Sequence, residues 1–124
     1  DNVTLTGFVD DVRLEIAAAA VSIAPIFHGG GTRLKILEAM ALENAVVSTS
    51  KGAQGIEVTH GKDILLADTP QAFSQAVIQL LQDKHQAEEL ARQGTKLLEA
   101  HYTPQAISAK YEVLLQQARQ KHPA

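Results

Sequence analysis

The sequence predicts an α/β domain, a parallel sheet covered on both faces by helices, with a further set of helices at its C-terminal end. Short apolar or β-branched runs at residues 3–9, 21–24, 45–48 and 63–67 alternate with segments of helical periodicity, the pattern of strands joined by crossover helices. The runs VSIA, AVVS and DILLA are apolar on successive residues or nearly so, as strands buried on both faces are. From Thr69 onward the apolar residues recur only at helical spacing. At 124 residues the chain fits one domain that can bury a core without cross-links.

Each element has a local reason. VTLTGFV at 3–9 alternates in strand fashion, and Asp10 and Asp11 then offer N-caps for a helix through about Ala19. VSIA at 21–24 is a buried-type strand stopped by Pro25. A helix follows the glycines at 29–31 and runs to about Leu42; AVVS at 45–48 is the next strand. Residues 51–61 form a glycine-punctuated loop, and DILLA at 63–67 returns as a strand. Thr69 caps a helix with Pro70 at its first position, its apolar stripe being Phe73, Ala76, Val77, Leu80 and Leu81. A second helix carries Leu90, Leu97 and Leu98 on one face around Gly94. Thr103-Pro104 opens the last, with Ile107, Tyr111, Leu114, Leu115 and Ala118 inward; residues 116–124 are polar and expected to fray.

Composition excludes several classes. Without cysteine there is neither a disulfide framework nor a thiolate metal site. A formal charge of -3 argues against a general nucleic-acid binder, so any bound anion must be held locally. The longest apolar stretch, residues 16–26, is broken by Ser22 and Pro25 and is too short to span a bilayer. No signal-peptide pattern precedes it, and the chain does not begin with Met. The five histidines are dispersed, without the short pairs that put two imidazoles on one ion.

HGGGTRLKILEAMA at 28–41 carries the chemistry. An esterase oxyanion loop needs a serine on a G-x-S-x-G elbow, and no serine here has that context. The spacings of a Walker loop and of a dinucleotide fingerprint are both missing. What remains is a strand, a glycine loop and a helix N-terminus, where backbone N–H groups can approach an anion with no Cβ in the way. Arg33 and Lys35 in the first turn oppose the helix dipole. A bound polyanion explains them, and so does a solvated first turn. Glu38 stands in a helix that reads as apolar almost all round, and a lone carboxylate there costs stability unless it meets partners. It lies roughly 9 to 10 Å along the axis from a start near Gly31 or Thr32, at ~1.5 Å per residue. That is the offset between a nucleotide's diphosphate and its ribose; a half-exposed glutamate bonded to a loop is the alternative.

From these residues the chain resembles the carboxy-terminal, donor-binding half of the group 1 (GT4-type) retaining glycosyltransferases of GT-B fold. The matching segments, in order, are VTLTGFVDDV, AAAAVSIAPIFHGGGTRLKILEAMA, AVVSTSKGAQGIEV, ILLADTPQAFSQAV and YTPQAISAKYEVLL. The resemblance implies a Rossmann-like three-layer half of that fold, over residues 1–124. It implies a nucleotide-diphospho-sugar donor, no metal, and hexosyl-type transfer in polysaccharide or glycoconjugate synthesis, exopolysaccharide included. The implied donor site comprises Phe8, Val9, Gly29, Gly30, Gly31, Thr32, Arg33, Leu34, Lys35 and Glu38. Glu38 corresponds to the second acid of the family's E-x7-E motif and would accept the ribose hydroxyls. Amides near Gly31, Leu34 and Lys35 would face the diphosphate, while Phe8 and Val9 would lie near the base. A cytoplasmic location is implied, with peripheral attachment to the inner membrane face open for an intact parent.

Departures carry equal weight. The first acid of E-x7-E falls on Gly30, so its work on the sugar hydroxyls must be done otherwise, with Arg33 the candidate catalytic group. The family's Gly and Pro after E-A-M-A are replaced by Glu43 and Ala45. The family's acceptor half and the Arg/Lys pair that clamps the diphosphate would lie before Asp1, so the expectation is an incomplete domain, inactive alone, whose open sheet edge invites self-association. Two other readings stand beside a transferase donor domain. One is a non-catalytic half that keeps the fold; the other is an unrelated interaction module with common strand-helix alternation.

Overall fold

The computed structural model describes residues 3–29 and 33–121, leaving out the side chains of residues 106, 107, 110, 111, 114 and 121 within the last helix. Its elements run α1 Val12–Ala18, β1 Val21–Ala24, α2 Arg33–Ala41, β2 Ala45–Ser48, β3 Leu65–Leu66, α3 Pro70–Gln82, α4 Lys84–His101 and α5 Pro104–Lys121. The sheet is parallel, in the order β1-β2-β3, with Val21 opposite Ala45 and Val47 opposite Leu65.

Alternation along the central strand makes the layers. Val46 joins Ala24 and Ile64 against Ile36, Ala39 and Met40 of α2. Ala45 and Val47 join Leu65 and Ala67 against Phe73 and Leu80 of α3 and Leu90 of α4. Helix α4 serves both layers, since Leu97 and Leu98 near its end pack with the α2 side. All four β2 residues are buried, as a parallel strand covered on both faces requires. The predicted caps are in place: Asp11 accepts from the backbone N of Arg13 at 3.0 Å, and Thr69 from that of Ala72 at 3.1 Å. No described helix is long and apolar enough to cross a membrane.

Several expectations are corrected. Residues 3–9 form no strand; Val3, Leu5 and Phe8 are 79%, 93% and 92% exposed. Alternation makes a strand only when a neighbouring backbone completes the ladder, and among the described residues the segment has none, while Gly7 at φ +66 breaks its extended run. Of the stretch 63–67 only Leu65 and Leu66 join the ladder, with an isolated bridge between His60 and Ile64 before them. Leu81 is exposed, because α3 narrows its buried stripe to Phe73 and Leu80 with Ala76 and Val77 half-covered. Leu115 and Ala118 are also exposed, since this end of α5 has no layer against it among the described residues. Ile107, Tyr111 and Leu114 fall among the undescribed side chains. Helix α5 runs on through the polar stretch to Lys121.

The α2–β2 turn shows what replaced the expected glycine. The amide of Glu43 donates to Met40 O at 3.1 Å and that of Asn44 to Ala39 O at 2.9 Å, the two bonds of a Schellman ending. Its left-handed position is held by Glu43 at φ 53. A non-glycine residue there costs about 1–2 kcal/mol. Glu43→Gly is therefore expected to raise stability by roughly 1 kcal/mol, after glycine's own entropy is counted. A thermal melt showing no gain would mean that Glu43 is unstrained.

Candidate functional site

The C-terminal ends of the strands are stitched together by short polar bonds. After β1, the amide of Ile26 turns back to Ala24 O. After β2, the amide of Thr49 reaches the same carbonyl, its hydroxyl donates to Ile26 O, and it accepts from the amide of Gly52 at 2.9 Å. A Cβ at Gly52 would stand 2.7 Å from Ser48 Oγ and 3.3 Å from Ala24 O, so the loop can lie down on the strand ends only as glycine. After β3, Asp68 accepts from both the amide and the hydroxyl of Ser50, each at 2.7 Å. These bonds, the amide's first, hold the Asp68 carboxyl below the usual carboxylate range. Sequence reasoning missed Thr49, Ser50 and Asp68. Their signal is positional: polar residues just past the C-terminal ends of β2 and β3, where open α/β sheets bind ligands.

Next to this rim, Gly29 has φ +85 and open space around it, and α2 begins at Arg33. Gly30, Gly31 and Thr32 lie outside the described residues. The side chains of α2 diverge from that start. Arg33 lies over Gly55 of the loop after β2. Leu34, Lys35 and Glu38 instead line a cavity of about 510 Å³, walled also by Ile16 of α1 and Ile23 of β1. A cleft of that size suits a small ligand. No β2 residue lines it, and Ile23 of the edge strand β1 is 47% exposed.

Glu38 is half-buried, not enclosed, because the buried face of α2 is Ile36, Ala39 and Met40, while Leu34 and Ala41 are exposed. Its position in the helix is thus compatible with water, and the carboxylate has no hydrogen bond or ion pair among the described residues. From Arg33 to Glu38 the rise is about 7.5 Å. Glu15 lines the same cavity, so two acids and Lys35 share it. Arg13, on the same helix as Glu15, is gripped by both oxygens of Asp11 at 2.9 Å, which lowers the Asp11 pKa and, together with more distant Glu38, raises that of Arg13. Phe8 and Val9 are not among the cavity's walls; Phe8 is almost wholly exposed and Val9 half-buried. Among the described residues, no three His, Asp or Glu side chains gather as metal ligands would.

In a solved structure, the C-terminal domain of a glycosyl transferase group 1 family protein (LpcC) from Francisella tularensis, the fold recurs with a TM-score of 0.71 at 23% identity. The similarity covers 79% of this chain and 52% of that one. An uncharacterized 44.6 kDa protein in the cps region of Klebsiella pneumoniae is 28% identical over 87 residues, 70% of this chain. The matched part is 22% of that relative's length. Over residues 1–83 the sequence matches the family described as Glycosyl transferases group 1. A match across most of the chain, on the fold just described, makes this protein a member of the group 1 glycosyltransferases.

Proposed function

We propose that the chain is the donor-binding domain of a longer enzyme that transfers a sugar, with retention, from a nucleotide diphosphate to an acceptor. One observation carries the reading. Glu38, a carboxylate with no hydrogen bond or ion pair among the described residues, opens into a cavity beside the helix that follows a glycine loop at a strand end. In this reading Glu38 accepts ribose hydroxyls. Amides of residues 29–35 and the α2 dipole meet the diphosphate, and Arg33 stabilises its charge as it departs. Phe8 and Val9 approach the base when the partner half is present. No metal is required, because dipole and cations supply the electrostatics. The acceptor half is the proposed partner, consistent with the small share of the relative's length that the chain spans. That relative's place in a cps region supports polysaccharide synthesis as the setting. The open side of β1 is a further site for pairing with a second strand, from that half or from another copy.

Titration of UDP, GDP and ADP tests this reading. One of them is expected to bind, and Glu38→Ala to weaken it roughly ten- to a hundredfold, the range for hydrogen bonds to a charged group. Unchanged affinity in the variant would remove Glu38 from the site. Gly30, standing where the family has its first acid, favours a second reading in which the domain binds nucleotide without catalysis. An intact parent that binds the nucleotide yet consumes none of a panel of sugar nucleotides would select it.

A further inference from the structure

Three of the four described arginines differ in how they are held. Arg13 pairs with Asp11 and Arg92 with Glu89. Arg33 has no acid beside it among the described residues and lies instead against the main chain of Gly55. The contact is close: a Cβ on Gly55 would stand 2.5 Å from Arg33 Nη1 and 3.2 Å from its Cδ. Gly55 itself has φ +91, a conformation glycine adopts freely. The loop beneath is fixed by the bonds of Thr49 to Ile26 and Gly52, and by the amide of Ile56 on Ala53 O. Holding a long cation in place without a counterion loses rotamer freedom for no ion-pair gain. Arg33 opens α2, two residues past Gly31 in the sequence, and its position over the loop after β2 gives that confinement a use.

We infer that Gly55 is a positioning residue for Arg33. By carrying no side chain it leaves a flat piece of backbone on which the Arg33 side chain rests, and so fixes the guanidinium at the start of α2, where an anionic diphosphate would lie. The inference rests on the donor-site reading above and adds to it a residue from a different loop. A methyl group at position 55 meets only the far end of a flexible side chain. Its effect is therefore to displace the guanidinium, with the backbone strain of a positive φ as the other consequence.

Gly61 separates the two consequences. It has φ +83 and nothing within 4 Å of where its Cβ would be, so Gly61→Ala carries similar strain and touches no arginine. In the intact transferase, with UDP, GDP and ADP as probes, Gly55→Ala is expected to weaken nucleoside diphosphate binding about tenfold, and Arg33→Ala by a similar factor. The double variant should bind no more weakly than Arg33→Ala, because a residue that acts through Arg33 has nothing left to position. Gly61→Ala should lower the melting temperature as Gly55→Ala does and leave affinity unchanged. Equal losses of affinity in Gly55→Ala and Gly61→Ala, or additive losses in the double variant, overturn the positioning role and leave the donor site standing. Wild-type protein that binds none of the probes overturns both.

Discussion

Met40→Ala is expected to destabilise the domain by about 2–5 kcal/mol, the range for truncating a long buried side chain to alanine. Met40 is 0% exposed and sits where α2, the sheet and α4 meet. Gly94 of α4 comes so near that a Cβ there would be 3.2 Å from Met40 Cγ, and the Thr95 hydroxyl donates to Met40 O at 2.7 Å. A void at this point has stiff neighbours on every side: a strand, a helix backbone and a hydrogen-bonded turn. Collapse around it is correspondingly limited, which places the loss toward the upper part of the range. Leu34→Ala on the same helix is the comparison. Leu34 is 68% exposed, so its truncation should change stability by no more than about 0.5 kcal/mol. Urea unfolding of the two variants measures the difference directly. Similar losses would show that the buried face of α2 has been misidentified.

Asn44→Leu is expected to cost about 2–4 kcal/mol, from the polar groups it would leave unpaired. The Asn44 side chain is 6% exposed and makes three bonds. It donates to Ile16 O at 2.9 Å and Ala19 O at 2.7 Å, and accepts from the Ser22 hydroxyl at 3.1 Å. These satisfy carbonyls at the end of α1, whose own residues include none that is fully buried. The helix is therefore tied to the sheet by this amide as much as by packing. Asn44→Asp should be at least as damaging, because a carboxylate would face two carbonyl oxygens in place of two donors. Loss of α1 also removes one wall of the Glu38 cavity. Nucleotide affinity should then fall together with the melting temperature in Asn44 variants. In Glu38→Ala, affinity should fall alone. An Asn44→Leu variant that melts like wild type would show that α1 is held by other contacts.

Much of the fold was legible because its signals are local. Asp11 and Thr69 cap helices by bonds within their own first turn, Pro70 fits a first helical position, and Val21–Ala24 and Ala45–Ser48 are strands of the length their apolar runs indicate. The fold class follows from the order of such segments. The segment at 3–9 was misread for the complementary reason, that a strand needs a ladder partner and alternation alone does not supply one. Glu43 shows a third case, where tertiary context keeps a left-handed turn at a residue that does not favour it.

For the candidate site, the sequence by itself singled out one segment: a glycine run, two cations and one acid on the helix after a strand. It could not say which way those side chains point. Tertiary structure decided that Leu34, Lys35 and Glu38 face a cavity against α1 and β1 while Arg33 crosses to Gly55. It also decided that Glu38 is half-open and that Thr49, Ser50 and Asp68 bind the strand ends together. The physical reason is that caps, turns and strand runs are set by neighbours in the chain, whereas α2 carries apolar residues on every side. Which of its faces is buried depends on what packs against it, and those partners come from residues 16 to 102 of the chain.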